Sequence, residues 1–369
     1  MKNRTSLMFV VSTIAAALAL AGCSATDNGA STGGEGCLPT SPQKVAEWCP
    51  GDGPLDIVVI QGTSEHSFYN TVGIGARAAG EELGVNVDVQ GAAEFSPTAQ
   101  ASIINAVIES KPDAIIIALT SPTALDPQLV AAAEAGIMVF TVDNDTDNKD
   151  LRWTNVGTDH VKSGNVLAEV IAANVADAEV GVLASSPGPL VERLRIEGFT
   201  EGIESAGDGL TVLETQYCEG DAAKCNGVTN AIVTANPGVK AIMAVGEQMG
   251  IGAGNAVRAA GLVGDVLVGS FDASPSQQRD LKDGTVQALV VQHPYQMGYE
   301  AISIVSQYLN GGVITSPLLD GEVAAADLPD PIYAEFDIAV SDEALCPADL
   351  AVYCGTADDP KIQESLYVG

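Results

Sequence analysis

Carboxylates, side-chain amides, an arginine and aromatic rings recur directly after short apolar runs in this chain. After Asp56–Ile60 come Gln61-Gly62-Thr63-Ser64-Glu65-His66-Ser67-Phe68-Tyr69-Asn70. After Ile137–Val142 come Asp143-Asn144-Asp145. Ser185-Ser186 follow Val180–Ala184 and lead to Arg193-Leu194-Arg195-Ile196-Glu197-Gly198-Phe199. Gly246-Glu247-Gln248 follow Ala241–Val245, Asp272 follows Val266–Phe271, and Gln292-His293-Pro294-Tyr295 follow Val286–Val291. An ionised carboxylate only accepts hydrogen bonds, a guanidinium only donates them, and an amide does both. Aromatic rings add flat apolar faces. Such a set can hold a ligand.

The motifs of bond-making sites are missing. There is no H-E-x-x-H or G-x-x-x-x-G-K-[ST], and G-x-S-x-G occurs only as Gly29-Ala30-Ser31-Thr32-Gly33, in a Gly/Ser/Thr-rich stretch rather than between a strand and a helix. Gly73-Ile74-Gly75-Ala76-Arg77-Ala78 fits a dinucleotide pattern but lies inside a helical stretch rather than opening it. Asp143-x-Asp145-x-Asp147 opens like a calcium loop, yet Asn148 stands where glycine is needed and Thr154 where glutamate is needed. No metal ion and no cofactor are expected.

The elements that must position these residues follow one repeated pattern. The apolar runs, with Val85–Val89, Ala114–Leu119 and Leu210–Thr215 among them, suit strands buried on both faces of a parallel sheet. The intervening stretches have helical spacing, as at Ile103, Val107 and Ile108. Ser96-Pro97, Ser121-Pro122 and Ser274-Pro275 each read as a helix start, serine capping and proline in the first turn. Alternating strand and helix predicts an α/β fold with helices on both sheet faces. The length suggests two such sheets, one to Val156 and one from Val180 to Val290, with a helix over Met297–Leu309 returning to the first. Ligands of open α/β sheets bind beyond the carboxyl ends of the strands. Two sheets facing each other by those ends would enclose a cleft.

Over residues 55–340 the chain resembles the type I periplasmic sugar-binding proteins, in the ribose-binding-like branch. The pieces that carry the likeness are Ser67-Phe68-Tyr69, Ile137 to Asp143, Arg193-x-Arg195-x-x-Gly198-Phe199, Val268 to Asp272, and Val291-Gln292-His293-Pro294. The resemblance implies a two-lobed fold, each lobe a parallel sheet flanked by helices, joined by a multi-strand hinge. It divides the chain into residues 54–157 plus 293–328 for the N-terminal lobe, 158–292 for the C-terminal lobe, and 329–369 for a hinge return and C-terminal extension. It makes Phe68 and Tyr69 the ring-stacking aromatics, Asp143 the first-lobe acid, and Arg193 the second-lobe arginine, with Arg195 as second choice. Asp272 and Gln292 become the acid and amide near the hinge. This chemistry fits a neutral, polyhydroxylated ligand: charge-assisted bonds to hydroxyls, a planar arginine and an aromatic face.

The chain departs from that pattern twice. Asp143-Asn144-Asp145-Thr146 stands where ribose binders have Asp-Arg, and Gly246-Glu247-Gln248 where many have Asn-Asp. Asn144, Glu247 and Gln248 are therefore candidate ligand contacts, and ribose itself is put in doubt. The role implied is substrate binding for an ATP-driven importer, with a sugar or polyol as ligand and a membrane permease as partner. The alternative is a receptor reporting a furanose-like signal to a sensor, which Asp143-Asn144-Asp145-Thr146 slightly resembles. Asp143 and Asp272 could also form the carboxylate pair of a glycosidase, but the resemblance is to non-catalytic binders, and no enzyme is expected.

Lys2 and Arg4 precede an apolar run from Leu7 to Leu20, too short to span a membrane comfortably. Leu20-Ala21-Gly22-Cys23 resembles a bacterial lipoprotein box. That resemblance implies a signal peptide over 1–22, lipidation of Cys23, and a protein anchored outside the cytoplasmic membrane. Residues 23–53 would then be anchor and tether, Ser24 to Gly36 reaching about 20 Å as a random coil. The formal net charge of −32 argues against nucleic acid and against anionic lipid as partners of the folded body. Its self-repulsion suits a soluble monomer. Beyond Cys23, six cysteines fall into close pairs: Cys37 with Cys49, Cys218 with Cys225, and Cys346 with Cys354. An oxidising location allows disulfides. Of the fifteen possible pairings, spacing favours three local loops.

Overall fold

The computed structural model describes residues 38–39, 41–42, 48–49, 51–207 and 209–365. The expected signal peptide, Cys23, the tether and Cys37 lie outside the described residues. The described residues belong to one compact unit.

The first sheet takes β1 (Asp56–Gln61), β2 (Asn86–Gly91), β3 (Ala114–Ile117), β4 (Met138–Val142) and β5 (Asn155–Thr158). The second takes β6 (Glu179–Ala184), β7 (Thr211–Val212), β8 (Gln216–Tyr217), β9 (Val239–Ala244), β10 (Leu267–Phe271) and β11 (Ala288–Gln292). A small hairpin pairs β12 (Val313–Ile314) with β13 (Val323–Ala324). Three late strands, β14 (Ile332–Ala334), β15 (Phe336–Val340) and β16 (Cys354–Thr356), return to the sheets. The first sheet runs β14-β5-β4-β3-β1-β2, all parallel. The second runs β16-β15-β11-β10-β9-β6-β7, with β15 antiparallel to β11.

The helices are α1 (Ser67–Leu83), α2 (Pro97–Ser110), α3 (Asp126–Glu134), α4 (His160–Asn174), α5 (Leu190–Ala206), α6 (Ala222–Ala235), α7 (Glu247–Ala260), α8 (Pro275–Lys282), α9 (Pro294–Leu309) and α10 (Pro360–Ser365). The chain passes between the sheets three times, at 158–160, 292–294 and 334–336. It is therefore two lobes joined by three crossings.

Strand alternation explains the layering. In the first sheet Ile57, Val59, Ile116 and Phe140 belong to the larger apolar core, which also takes Val72 and Ala76 of α1 and Ile302 and Val305 of α9. Val58, Ile60, Ile115, Ile117 and Val139 point the other way, toward Ile104, Val107 and Leu129 of α2 and α3. Successive side chains on opposite faces produce this split, and a run apolar on both faces is what it demands.

Two expectations need correction. The run Leu210–Thr215 does not form one strand. It lies along the outer edge of β6, where Thr211 and Glu214 are exposed, so only the fragments β7 and β8 pair there. Ser121-Pro122 does not start a helix: Ser121 Oγ accepts from the Ala124 amide at 3.1 Å and closes a turn. α3 begins later, at Asp126. By contrast, Ser96 and Ser274 do cap α2 and α8, Ser274 in a capping box with Gln277.

The glycine pattern inside α1 also has a structural reason. A Cβ on Gly75 would sit 2.0 Å from the Tyr295 carbonyl oxygen, and one on Gly298 would sit 2.0 Å from that of Val72. The backbones of α1 and α9 are thus in contact, and only glycine fits. Gly75→Ala must push the two helices apart, at a cost of about 1–3 kcal/mol. The expected outcome is a Tm lower by about 3–10 °C with unchanged far-UV circular dichroism at 20–25 °C. An unchanged Tm would show that the two helices are free to separate.

Candidate functional site

The carboxyl ends of both sheets border one cavity of about 690 Å³. Phe68, Tyr69, Asp143, Asn144, Glu247, Gln248, Asp272 and Gln292, all singled out from the sequence, line it. Arg193 does not.

The first lobe builds its wall from the turn after β1. His66 caps α1, its Nδ1 accepting from the Phe68 amide at 3.2 Å. This fixes the first helical turn, with Phe68 and Tyr69 facing inward. Their rings meet edge to face, centroids 5.2 Å apart. Gln61 donates its side-chain amide to the Tyr69 carbonyl. Gln100 of α2, fully buried, donates to the carbonyls of Gln61 (3.1 Å) and Ala118 (2.8 Å) and accepts from the Thr120 amide and hydroxyl. One side chain thus fixes the ends of β1 and β3.

Asp143 follows β4 with φ 59°, a left-handed conformation uncommon for a residue with a side chain. Its Oδ2 accepts from the Tyr69 hydroxyl (3.1 Å) and from Asn144 Nδ2 (2.8 Å). Burial raises its pKa to about 6, against the opposing charge of Arg195. Burial, and then the Asp143 charge, also pushes the Tyr69 hydroxyl up, so it stays a donor. His160 Nε2 lies 3.8 Å from Asp143 Oδ1. Burial and the Arg195 charge hold that imidazole well below its ordinary range, so the ring is neutral.

The second lobe repeats the device. Asp272 follows β10 with φ 75°. Its Oδ1 accepts from Gln292 Nε2 at 3.1 Å and its Oδ2 from the Glu247 amide at 3.0 Å. Gln292 Oε1 in turn accepts from the Thr158 hydroxyl at 3.0 Å, which joins two of the interlobe crossings. Glu192 accepts from the Ser185 amide and hydroxyl, and burial raises its pKa.

The arginine of the cleft is Arg195. It is 5% exposed, donates Nη1 to the Val245 carbonyl at 2.8 Å, and stacks its guanidinium on Phe271 at 4.3 Å. Arg193, the first choice from sequence, is about half exposed and pairs with Asp147 at 3.4 Å on the rim. Residues two apart on a helix point in nearly opposite directions. α5 must bury Phe199 and lay Gly198 on α4, where a Cβ would come 1.9 Å from the Val161 carbonyl oxygen. Arg195 lies three and four residues before that pair and shares its face; Arg193 cannot.

Ser185, read from sequence as a strand-end residue, also lines the cavity, as do Phe95, whose ring stacks with Tyr69 at 6.5 Å, Thr120 and Glu192, which the sequence did not point to. Gln100 had a legible signal, standing in register with Ile104 and Val107 on the buried face of α2. The calcium-like spacing is spent on other bonds. Asp145 is held by Arg152 (3.0 and 2.6 Å), by Thr141 at 2.8 Å and by Lys149. Burial opposes its ionisation, yet the Arg152 bonds outweigh it and keep the carboxyl below its usual range. Among the described residues no group of three metal-ligating side chains could hold an ion. Cys218–Cys225 and Cys346–Cys354 are disulfides, and Cys49 is disulfide-bonded. No helix among the described residues is long and apolar enough to cross a membrane.

Two parallel sheets, three crossings and a polar cleft between their carboxyl ends define a two-lobed binding protein. The family model of the periplasmic binding protein domain matches residues 57–312, and the chain belongs to that family. The ribose import binding protein RbsB of Salmonella typhimurium is 27% identical over 256 residues, 69% of this chain and 85% of that protein. The fructose import binding protein FruE of Bifidobacterium longum is 30% identical over 283 residues, 69% of this chain and 83% of that one. An ABC transporter solute-binding protein from Agrobacterium vitis, solved with α-D-tagatopyranose, superposes with a TM-score of 0.74 at 29% identity. It covers 85% of this chain and 100% of its own.

The buried Asp143 has a consequence for stability. Its folded pKa of about 6 lies above the ordinary 3.8, so the folded state holds the proton more tightly. Stability is therefore lost as pH rises from about 4 to about 6. Asp143→Asn removes the buried charge while keeping an acceptor for Tyr69. The variant should melt higher than the parent at pH 7.5, by about 1–3 kcal/mol, and equally at pH 4. Thermal denaturation at both pH values checks this, and equal melting at pH 7.5 would refute the assigned burial cost.

Proposed function

We propose that this chain is the substrate-binding lipoprotein of an ABC importer and that it binds a neutral sugar or polyol between its lobes. The observation that carries the reading is the facing pair Asp143 and Asp272 with Arg195 in the same cavity. Each carboxylate can accept adjacent hydroxyls through charge-assisted bonds. Arg195, whose Nε is buried without a hydrogen-bond partner, can donate to a ring or hydroxyl oxygen. Phe68 and Tyr69 cover the apolar side of a ring. Asn144, Gln248 and Gln292 supply amides at the edges. The sugar-import relatives support the same ligand class.

Ligand bound between the lobes favours the closed form by a hinge motion about the three crossings. The closed form docks on a membrane permease. Lipid on Cys23 keeps the binder beside that permease, outside the cytoplasmic membrane.

Isothermal titration against a panel of pentoses, hexoses and polyols tests the reading. At least one should give saturable heat; silence across the panel, with no co-purified sugar, would sink it. Arg195→Ala and Asp272→Ala should each weaken binding at least about tenfold, whereas Arg193→Ala, an exposed rim pair, should change it less than about twofold. Ionised Asp143 accepts two hydroxyls through charge-assisted bonds, whereas the protonated acid gives up one acceptor site and the charge. With its pKa at about 6, affinity should be about tenfold lower at pH 5 than at pH 7. A flat profile between those values would remove Asp143 from the contact set.

A further inference from the structure

We propose that Glu247 is a positioning residue that latches the two lobes together across the mouth of the cleft. Glu247 is the first residue of α7 and belongs to the second lobe. Its Oε2 lies 3.3 Å from His66 Nε2 and 3.4 Å from Ser67 Oγ, both at the start of α1 in the first lobe. The side chains are largely shielded, 28% exposed for His66 and 12% for Glu247. A bond so shielded is screened less than one at the open surface.

The protonation pattern is set by geometry. His66 Nδ1 accepts the Phe68 amide proton, so in the neutral ring the proton sits on Nε2. Nε2 lies within ion-pair distance of Glu247, and Ser67 donates its hydroxyl to the same oxygen. The latch is one hydrogen bond, from Ser67, and one close polar contact, with His66, on the same carboxylate oxygen. Asp272, Asp143 and the Ser274 hydroxyl are the other polar groups beside it.

Glu247 is also wired inward. Its amide donates to Asp272, Asp272 accepts from Gln292, and Gln292 accepts from Thr158. The chain of bonds begins on the first-lobe rim, crosses to the second lobe, and returns to the first at a crossing strand. Closing the rim and aiming Asp272 are thus the same movement. The Arg193–Asp147 pair also crosses the rim, but both partners are 47% exposed, and such pairs contribute little.

The test needs no ligand, so failure to bind a sugar would leave it intact. Small-angle scattering of the ligand-free protein is compared for the parent, Glu247→Ala, Glu247→Gln, His66→Asn, and His66→Asn with Glu247→Ala. Asparagine still caps α1 but is too short to reach Glu247. Glutamine keeps an oxygen that accepts from Ser67 and lies beside His66. The expected result is a larger radius of gyration for Glu247→Ala and for His66→Asn, no further increase in the double variant, and near-parental scattering for Glu247→Gln. Parental scattering in His66→Asn, or additive effects in the double variant, would overturn the latch. Melting temperatures within about 2 °C of the parent, below the shift of one kcal/mol, separate opening from unfolding.

Discussion

Four buried or half-buried carboxyl groups, Asp143, Glu192, Glu247 and Asp272, share one cavity with a single guanidinium, that of Arg195, while a fifth, Glu219, is exposed at its edge. Burying charge is expensive unless each ion is given donors, and the surrounding structure is organised around supplying them. Tyr69 and Asn144 serve Asp143, and Ser185 serves Glu192. Gln292 and the Glu247 amide serve Asp272, while Ser67 serves Glu247, with His66 Nε2 beside it at 3.3 Å. The donors come from strand ends and first helical turns, where backbone amides and short side chains are not committed to ladders. A cleft at the carboxyl ends of two parallel sheets is where such donors are most plentiful.

The acids at the two strand ends use the same backbone solution. Asp143 after β4 and Asp272 after β10 both adopt positive φ, and each donates its own amide to a carbonyl of the neighbouring strand, Val156 or Val290. Strand pairing pins the amide, so the left-handed twist re-aims the side chain without releasing the backbone. Left-handed residues other than glycine are sparse and tend to persist where surrounding structure over-determines them. Here the over-determination is the hydrogen-bond set just described.

Most of this was legible in the residues because the strands are buried on both faces. Runs such as Met138–Val142 and Leu267–Phe271 are buried throughout and mainly apolar, so their ends, and with them Asp143 and Asp272, could be placed. Legibility failed where burial is one-sided or pairing is local. Leu210–Thr215 lies on an edge and keeps only the two-residue β7, with β8 beyond it; Ser121-Pro122 closes a turn with the chemistry of a helix cap. β14 and β16 are three residues each, too short to show a period. The choice of Arg193 over Arg195 was different in kind. The helical register of Gly198 and Phe199 settles it from sequence alone, provided that those residues are first assigned to the buried face of α5.

The late strands bear on how the lobes move. β14 joins the first sheet beside β5, and one residue later β15 joins the second beside β11, so the third crossing is nearly taut. Asp337 of β15, 2% exposed, lies 2.8 Å from His293 Nε2, at the second crossing, and 3.6 Å from Lys361 of α10. Gln292, adjacent to His293, binds Thr158 at the first crossing and Asp272 in the cleft. Side-chain bonds thus tie the three crossings to one another and to an acid of the cleft. Crossings tied in this way twist together rather than one at a time, which favours a single hinge axis over independent flexing. The position of Asp272 is then coupled to the hinge angle through Gln292, so closure and the alignment of the second-lobe acid follow from one set of bonds.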